Sequence, residues 1–260
     1  MLRFSANLGF LWPDRPLLAR IDAAAKAGFR AIEVHWPYDV PPADVKAACT
    51  RHNLTMLGLN TVRGDVGKGD FGLGAVPGRE KDFAAAIDQS VAYCAAAGFT
   101  SIHAMAGKVP AERKSEATAV FKQNLAAAAA KAAKHGLTIL LEPINQRDAP
   151  GYYYSTIEEA AAIIAGLGLP NVRIMFDVYH VGVSQGDVLM RFEQHLPLIG
   201  HVQIAAVPSR AEPDEGEINY RAVFDAIERV GYAGWIGCEY KPRGETDAGL
   251  AWTEELGVNL

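Results

Sequence analysis

The sequence predicts an α/β fold, specifically a (β/α)8 TIM barrel, and three observations lead to this prediction. Short β-branched runs alternate with Ala-rich stretches of helical length, as in parallel strands joined by crossover helices. Eight such runs, with seven helical stretches between them, can be counted along the 260 residues. Glycine recurs between a helix and the next strand, in AAKAGF, CAAAGF, AAKHGL and IERVGY. A doubly wound open sheet is the alternative, because periodicity alone cannot show that a sheet closes.

Each predicted strand is a short apolar run, and each predicted helix is a longer segment rich in alanine. The strands are residues 3–9, 31–36, 55–60, 101–106, 138–144, 172–178, 200–205 and 235–240. The helices between them are residues 17–27, 43–52, 79–97, 115–135, 155–166, 187–195 and 220–230. Because half of its residues are apolar, the chain is expected to form one barrel domain over residues 1–260.

A glycine-rich segment, residues 61–78, follows the third strand and breaks the repeat. We expect it to lie over the barrel mouth as a loop, or to form a contact in a homo-oligomer. Its stretch from Gly67 to Gly72 matches G-x-G-x-x-G, but Pro77 intervenes before the next helix and no tight strand–turn–helix context surrounds it. A dinucleotide site is therefore not predicted.

The composition argues against two classes of partner. The chain has 25 Lys and Arg against 30 Asp and Glu and no basic run, so no nucleic-acid partner is expected. Residues 1–14 are interrupted by Asn7, Gly9 and Pro13 before a long apolar stretch develops, which fits neither a signal peptide nor a membrane anchor. A cytoplasmic protein with no membrane partner is the expectation.

The three cysteines indicate neither a disulfide framework nor a zinc site. Cys49, Cys94 and Cys238 are odd in number, far apart and free of C-x-x-C spacing. We expect them to be small buried hydrophobic residues in a reducing compartment.

A polar side chain lies at the tip of each of the last four predicted strands. These residues are Glu142, Asp177, Gln203 and Glu239. A carboxylate within an apolar run is costly to bury alone, and three converging carboxylates would raise one another's pKa. In a barrel, the active site forms where strands end and βα loops begin. The repeated position favours one shared cation, and oxygen donors suit Mg²⁺ or Mn²⁺ better than zinc.

Each of these residues also has an ordinary structural explanation. Glu239 could pair with Lys241, Asp177 could cap a helix, and Gln203 could bond to loop backbone. Repetition on four consecutive strands favours a shared site over four unrelated explanations.

Glu142 and Glu239 are candidates for moving protons as well as for binding the cation. When a metal polarises a substrate carbonyl, one glutamate can remove a proton from carbon and the other can return one at the adjacent carbon. That chemistry is an enediol isomerisation or an epimerisation.

Candidates for substrate binding follow the same strands. His180, three residues after Asp177, can reach the same mouth and bind a substrate oxygen, with a solvated loop histidine as the alternative. Arg210 and Lys241 place positive charge where an acid could dock, with ordinary surface charge as the alternative. His103 is a further candidate, with a core histidine as the alternative.

Two other groups of side chains have less specific interpretations. Tyr152, Tyr153 and Tyr154 follow Glu142 and could wall a sugar pocket or pack against another subunit. For His35, a satisfied core histidine is the expected explanation.

Long ordered motifs make the chain resemble the hydroxypyruvate isomerase family, within the xylose-isomerase-like barrels. The similarity extends over nearly the whole length and includes MLRFSANLGF, VPGRE, LEPIN, FDVYH, GHVQIAAVPSRAEPDEGEINY and GYAGWIGCEYKPRGETDAGLAW. The resemblance implies reversible isomerisation of hydroxypyruvate to 2-hydroxy-3-oxopropanoate (tartronate semialdehyde), or the same aldose–ketose shift on a four-carbon 2-oxo-tetronate. Small sugar acids would be the substrates.

The resemblance also implies roles for the matching positions. Glu142 in LEPIN and Glu239 in CEYKP would be the proton donor and acceptor pair, and both would bind the metal together with Asp177 and Gln203. Related sugar epimerases commonly place His at the third ligand, so Gln203 favours the isomerase branch. The segment SRAEP departs from the family's G-R-H-E-P, which leaves the identity of the sugar acid open. A ketose 3-epimerase and a non-catalytic sugar-acid binding protein are the alternatives.

Overall fold

The computed structural model describes residues 2–260, and parallel β-strands form its centre. The strands are Phe4–Asn7 (β1), Ala31–Glu33 (β2), Thr55–Met56 (β3), Gly58–Asn60 (β4), Ser101–His103 (β5), Thr138–Leu141 (β6), Val172–Asp177 (β7), Ile199–Ile204 (β8) and Ile236–Cys238 (β9). Their order in the sheet is β3-β2-β1-β9-β8-β7-β6-β5-β4, and the neighbouring pairs are parallel.

The sheet closes into a barrel because β3 and β4 are two pieces of the third predicted strand, interrupted at Leu57. One piece pairs with β2 and the other with β5. Backbone hydrogen bonds of 2.9 Å from Leu57 N to Ile32 O and from Val34 N to Gly58 O join β2 to both sides of the interruption. Since β1 pairs with both β2 and β9, the ring is complete. The predicted (β/α)8 TIM barrel is confirmed, and the open-sheet alternative is wrong.

Helices surround the barrel and connect its strands. They are Leu17–Ala27 (α1), Pro42–Arg51 (α2), Glu80–Ala97 (α3), Lys114–Ala133 (α4), Ile157–Leu167 (α5), Val178–Ser184 (α6), Val188–His195 (α7), Tyr220–Arg229 (α8), Thr246–Gly249 (α9) and Trp252–Leu256 (α10). All seven predicted helices are present, with ends within two residues of the predicted ones. Gly28 and Gly98 end α1 and α3 with φ angles of 106° and 107°, which L-residues with a side chain rarely adopt.

The short helix α6 was not predicted. It begins directly after β7, where Asp177 accepts a hydrogen bond of 2.9 Å from the backbone N of Tyr179 and caps the helix. The segment VYHVGVS is rich in β-branched residues, so its composition does not indicate a helix. The cap places His180 on the first turn, close to the end of the strand.

The core lies between the barrel and its helices, and the three consecutive tyrosines belong to it. Tyr152, Tyr153 and Tyr154 are all buried, and the Tyr154 ring stacks on Phe121 at 6.0 Å between centroids. The Tyr152 hydroxyl accepts a hydrogen bond of 2.9 Å from the backbone N of Ala106. The expectation that these rings wall a pocket or pack against a subunit is therefore wrong.

Two other expectations bear on burial. All three cysteines are free and buried, as expected for small hydrophobic residues. Within residues 2–260, no helix is both long enough and apolar enough to cross a membrane.

Residues 61–78 are fixed to the barrel by backbone hydrogen bonds. Gly72 N donates to Arg63 O at 2.9 Å, which folds the segment back on itself, and Ala75 N donates to Ala106 O at 2.7 Å. The side chain of Asn124 on α4 donates to Gly74 O at 2.8 Å. These contacts hold the segment beside the strand ends, while a lid or oligomer role stays a prediction.

Candidate active site

The four polar strand-end residues lie together at the carboxyl ends of neighbouring strands, and all are buried. Glu142 directly follows β6, Asp177 ends β7, Gln203 lies within β8 and Glu239 directly follows β9. The register pairs Asp177 with Gln203, and Gln203 with Gly237. Gln203 is therefore two residues deeper along the barrel than Glu239.

Glu142 and Asp177 share a histidine. His180 Nε2 is 3.6 Å from Glu142 Oε1 and 3.6 Å from Asp177 Oδ2. His180 Nδ1 is 2.7 Å from the side-chain nitrogen of Asn145 and 3.3 Å from its backbone N, both of which donate. Because Nδ1 accepts, the ring proton lies on Nε2 and faces the two carboxylates.

A second buried histidine lies on the other side of Glu142. His103 Nδ1, at the end of β5, is 3.3 Å from Glu142 Oε2. Burial lowers the pKa of His103 to about 4, so this imidazole is neutral at physiological pH. A neutral ring can donate from one nitrogen and accept at the other, which suits a substrate hydroxyl or carbonyl.

Glu239 is surrounded by hydrogen-bond donors. Its Oε1 is 2.8 Å from His35 Nε2 and accepts from Asn7 Nδ2 at 3.1 Å, and its Oε2 accepts from Arg210 Nη2 at 3.0 Å. The space for the His35 ring comes from Gly9, where a Cβ would lie 2.2 Å from the ring. His35 is hydrogen-bonded, as expected of a satisfied histidine, but it is only partly buried and lines the cavity instead of lying in the core.

Arg210 connects the acidic residues of the site. Besides its bond to Glu239, its guanidinium lies 3.8 Å from Asp177 and 3.4 Å from Asp148. It also lies over the rings of Phe10 and Tyr179, at 5.1 and 4.9 Å from their centroids. Its backbone has a φ of 59°, an uncommon value for a residue with a side chain. The Arg210 guanidinium is thus already paired with carboxylates of the protein. Its role in substrate binding stays a prediction.

The pKa values of Glu142 and Glu239 are shifted in opposite directions. Burial, together with the nearby charges of Glu239 and Asp177, raises the pKa of Glu142 well above its ordinary value. Burial opposes ionisation of Glu239 as well, but the His35 hydrogen bond and Arg210 outweigh it and lower the pKa of Glu239 to about 2. Burial and Glu239 raise the pKa of Asp177 to about 7.

This group of residues can hold a metal ion. Carboxylate oxygens of Glu142 and Asp177 and a ring nitrogen of His180 all lie within 4.8 Å of one another, and with the ring proton on Nε2 the carboxylates are the available ligands. Three buried oxygens at the site have no hydrogen-bond partner, namely Glu142 Oε1, Asp177 Oδ2 and Gln203 Oε1. Buried polar atoms without partners are costly, and a cation bound by all three would compensate them.

The site opens into a cavity of about 450 Å³. Glu142, Glu239, His103, His180, Arg210 and Lys241 line it together with Phe10, Trp36, Arg63 and Phe71. Four of these residues were not predicted from the sequence, namely Phe10, Trp36, Arg63 and Phe71, and the signal for Arg63 was its place in the glycine-rich segment after the third strand. The alternative explanation of Glu239, an ion pair with Lys241, is also wrong. Its partners are His35, Asn7 and Arg210.

The fold and the site together define a parallel (β/α)8 barrel with a buried carboxylate and histidine site at the carboxyl ends of its strands. Residues 21–256 match the model of a family described as the xylose isomerase-like TIM barrel, and the chain belongs to this family.

Similar proteins are known by name. A 2-oxo-tetronate isomerase from Cupriavidus necator is 44% identical, over 97% of this chain and 97% of the relative. A hydroxypyruvate isomerase from Escherichia coli is 39% identical, over 98% of this chain and 99% of the relative. A crystal structure titled as AP endonuclease, family 2, from Brucella melitensis has 40% identity, a TM-score of 0.95 and coverage of 98% and 99%. The resemblance inferred from the motifs is confirmed by these relatives.

Proposed function

We propose that the protein is an aldose–ketose isomerase of small hydroxy-oxo acids, which interconverts hydroxypyruvate and 2-hydroxy-3-oxopropanoate or a four-carbon 2-oxo-tetronate and its aldose. The observation that carries this proposal is the pair Glu142 and Glu239, which line one cavity with proton affinities shifted in opposite directions. Two titratable groups separated in this way are suited to act as acid and base. The names of the relatives agree with the reaction.

A divalent cation, Mg²⁺ or Mn²⁺, is proposed at Glu142, Asp177, Gln203 and Glu239. The three unpartnered oxygens and the absence of cysteine from the group support a hard cation. Glu239 Oε2 accepts only from Arg210 and keeps a free lone pair. When bound, such a cation would polarise the substrate carbonyl and increase the acidity of the adjacent C–H bond.

The two glutamates would move the carbon-bound proton. In hydroxypyruvate, Glu239, kept ionised by His35 and Arg210, removes a proton from C3, and an enediolate forms across C2 and C3. The proton of the C3 hydroxyl moves to the C2 oxygen, and Glu142 delivers a proton to C2, so that C3 becomes an aldehyde. Glu239 then releases its proton to solvent and Glu142 takes one up, which restores both carboxyl groups. His103 and His180 are placed beside Glu142 to bind these oxygens.

Two cations favour an acid as the substrate over a neutral ketose. Arg63 stacks on Trp36 at 4.0 Å from the ring centroid, and Lys241 Nζ is 5.9 Å from the centroid of Phe10. Both side chains line the cavity. Among residues 2–260, no ion pair of either residue with a carboxylate is found, in contrast to Arg210. We propose that Arg63 and Lys241 bind the substrate carboxylate.

The test is a substrate panel followed by NMR in deuterated buffer with Mg²⁺ or Mn²⁺. We expect hydroxypyruvate or a 2-oxo-tetronate to be converted, with deuterium entering at C2 or C3. The variants Glu142→Gln and Glu239→Gln should each lose turnover by at least about 100-fold, since general acid–base catalysis contributes that much. Glu212→Gln is the matched control, because Glu212 is equally buried but bonds to Arg243.

Other results would identify the alternatives. Preferred turnover of neutral ketohexoses would indicate a ketose 3-epimerase. Binding of sugar acids without proton exchange would indicate a non-catalytic binding protein. Normal turnover in either glutamine variant would overturn the assigned acid and base. Cytoplasmic location and a homo-oligomeric state stay predictions from the sequence.

A further inference from the structure

Two buried ionisable residues below the cavity have no part in the proposed proton transfer. Glu33 ends β2 and His201 lies in β8, and β1 and β9 lie between these two strands in the barrel. Both are buried, and His201 Nε2 is 2.5 Å from Glu33 Oε2. A buried carboxylate with a single histidine partner is costly to maintain, which raises the question of what else Glu33 contacts.

The second oxygen of Glu33 binds two carboxamides that belong to the site. Glu33 Oε1 accepts from Asn7 Nδ2 at 3.2 Å and from Gln203 Nε2 at 3.4 Å. Asn7 Nδ2 also donates to Glu239 Oε1 at 3.1 Å. Glu33 is therefore hydrogen-bonded directly to Gln203 and is connected to Glu239 through Asn7. Both Gln203 and Glu239 are proposed metal ligands.

A carboxylate has only acceptors, and this property orients both carboxamides. The oxygen and nitrogen ends of an Asn or Gln side chain have nearly the same shape, so their partners decide which end points where. With its nitrogen on Glu33, Gln203 must direct Oε1 to the other side, where that oxygen has no hydrogen-bond partner. Asn7 likewise directs its nitrogen to the two glutamates, and its oxygen accepts from Gly9 N at 2.9 Å.

The neighbouring strand is shaped to admit the Glu33 carboxylate. Gly237 in β9 lies opposite Gln203, and a Cβ at this position would be 2.1 Å from Glu33 Oε1 and 3.0 Å from Gln203 Cγ. A side chain there would displace Glu33 without removing any polar group. Glycine at this position is thus required by the close approach of Glu33.

We propose that Glu33 is a positioning residue: held by His201, it fixes Gln203 with its oxygen toward the cation and Asn7 with its nitrogen toward Glu239. The inference rests on the cation site and proton transfer of the proposed function. Partners one shell behind metal ligands commonly change metal affinity or activity by about 10- to 100-fold when mutated.

The main variant is Glu33→Gln, which keeps the shape but adds a donor that can reverse the carboxamides. We expect its Mn²⁺ dissociation constant, measured by calorimetry on the full chain, to rise by about tenfold or more. At saturating Mn²⁺ its kcat for hydroxypyruvate should fall by a similar factor, while KM changes by less than about threefold. Gly237→Ala, which moves Glu33 by steric contact, should shift both quantities in the same direction.

Glu212→Gln separates positioning from simple loss of stability. Glu212 is also buried, and it accepts from the backbone and side chain of Arg243 outside the cavity. We expect this variant to unfold at a lower temperature with unchanged Mn²⁺ affinity and kcat. If the wild type is active and a folded Glu33→Gln or Gly237→Ala variant keeps the wild-type Mn²⁺ affinity and kcat, the positioning role is overturned. A wild type with neither Mn²⁺ binding nor turnover would instead refute the proposed function.

Discussion

At the scale of single residues, charge around a carboxylate decides what that carboxylate can do. Glu142 is buried and lies near two other acids, so its pKa is raised well above its ordinary value. Glu239 receives hydrogen bonds from Asn7 and Arg210, so it stays ionised. The two side chains are chemically identical, and their difference arises entirely from neighbours on other strands and loops.

Arg63→Met provides a test at this scale. The change removes a cation that has no carboxylate partner while keeping a side chain that can cover Trp36. Hydrogen bonds to charged groups contribute about 1.5–3 kcal/mol, so kcat/KM for hydroxypyruvate should fall by about tenfold or more, mainly through KM. Steady-state kinetics with saturating metal measure this.

Lys68→Met is the matched control for Arg63→Met. Lys68 lies in the same glycine-rich segment, but it is solvent-exposed and pairs with Asp65 at 3.1 Å. Exposed pairs contribute little, so its kinetics should equal those of the wild type. Equal KM values for the Arg63 and Lys68 variants would contradict the assignment of Arg63.

At the scale of elements, strand and helix ends place the chemical groups. The β7 strand passes into α6 without a loop because Asp177 caps the helix with Oδ1, which leaves Oδ2 free for the site. The two sequence interpretations of Asp177, a helix cap and a site residue, are therefore compatible. The first turn of α6 then directs His180 back toward Glu142.

A helix remote from the chemistry should affect stability alone. Thr156 caps α5 in a capping box with Glu159, each side chain accepting from the backbone of the other residue. Thr156→Ala should destabilise the protein by about 1 kcal/mol and lower its Tm by roughly 2–4 °C, with kcat unchanged. Calorimetry would show this, and Thr156→Ser should retain the wild-type Tm. A changed kcat in the alanine variant would contradict the expected independence of α5 from the site.

At the scale of the whole molecule, barrel closure brings acidic residues from the ends of β6, β7 and β9 together at one end. Without a cation, this arrangement lowers the stability of the folded protein by a measurable amount. The pKa of Asp177 is raised to about 7 by burial and by Glu239. A folded-state pKa above the ordinary value of an acid stabilises the fold fully at low pH, and this contribution is lost as pH rises through about 4 to 7. Metal-free protein should therefore lose stability over this window.

Asp177→Asn isolates this contribution, because asparagine can still cap α6 but does not titrate. Between pH 5 and pH 8 in a chelator, the Tm of the wild type should fall relative to that of the variant by on the order of 5 °C. Excess Mn²⁺ at pH 8 should raise the Tm of the wild type and not that of the variant. A constant Tm difference across the pH range would contradict the prediction.

Chemical labelling of the three cysteines tests whether the barrel must unfold before its buried thiols can react. Burial raises the pKa of Cys49 and of Cys94 to about 12, and raises that of Cys238 well above its ordinary value. Thiolates are the reactive form, so iodoacetamide at pH 8 should label none of the three in the native protein. Mass spectrometry should show three additions after unfolding in guanidinium. Labelling of one cysteine in the native state would reveal local opening at its strand or helix.

Closure of the sheet is a tertiary feature, but sequence periodicity determined the alternation of strands and helices, their approximate positions and the four residues at the strand ends. These features are local, because each depends on the spacing of apolar residues or on a polar residue within an apolar run. The motifs likewise placed the chain in its family. Helix α6 was not predicted, because VYHVGVS has a low helix propensity. The helix forms because the Asp177 side chain caps its first turn.

Only the tertiary structure decided which partners each site residue has. The contacts of Glu239 with His35 and Arg210, and of Glu33 with His201, join residues far apart in the chain. No local pattern encodes such contacts, because they arise when the closed barrel brings all its strands around one axis. Proton affinities and carboxamide orientations depend on those contacts. The sequence therefore located the strand-end residues, whereas the fold added His35, Arg63 and Glu33 and determined the hydrogen bonding and proton affinity of each site residue.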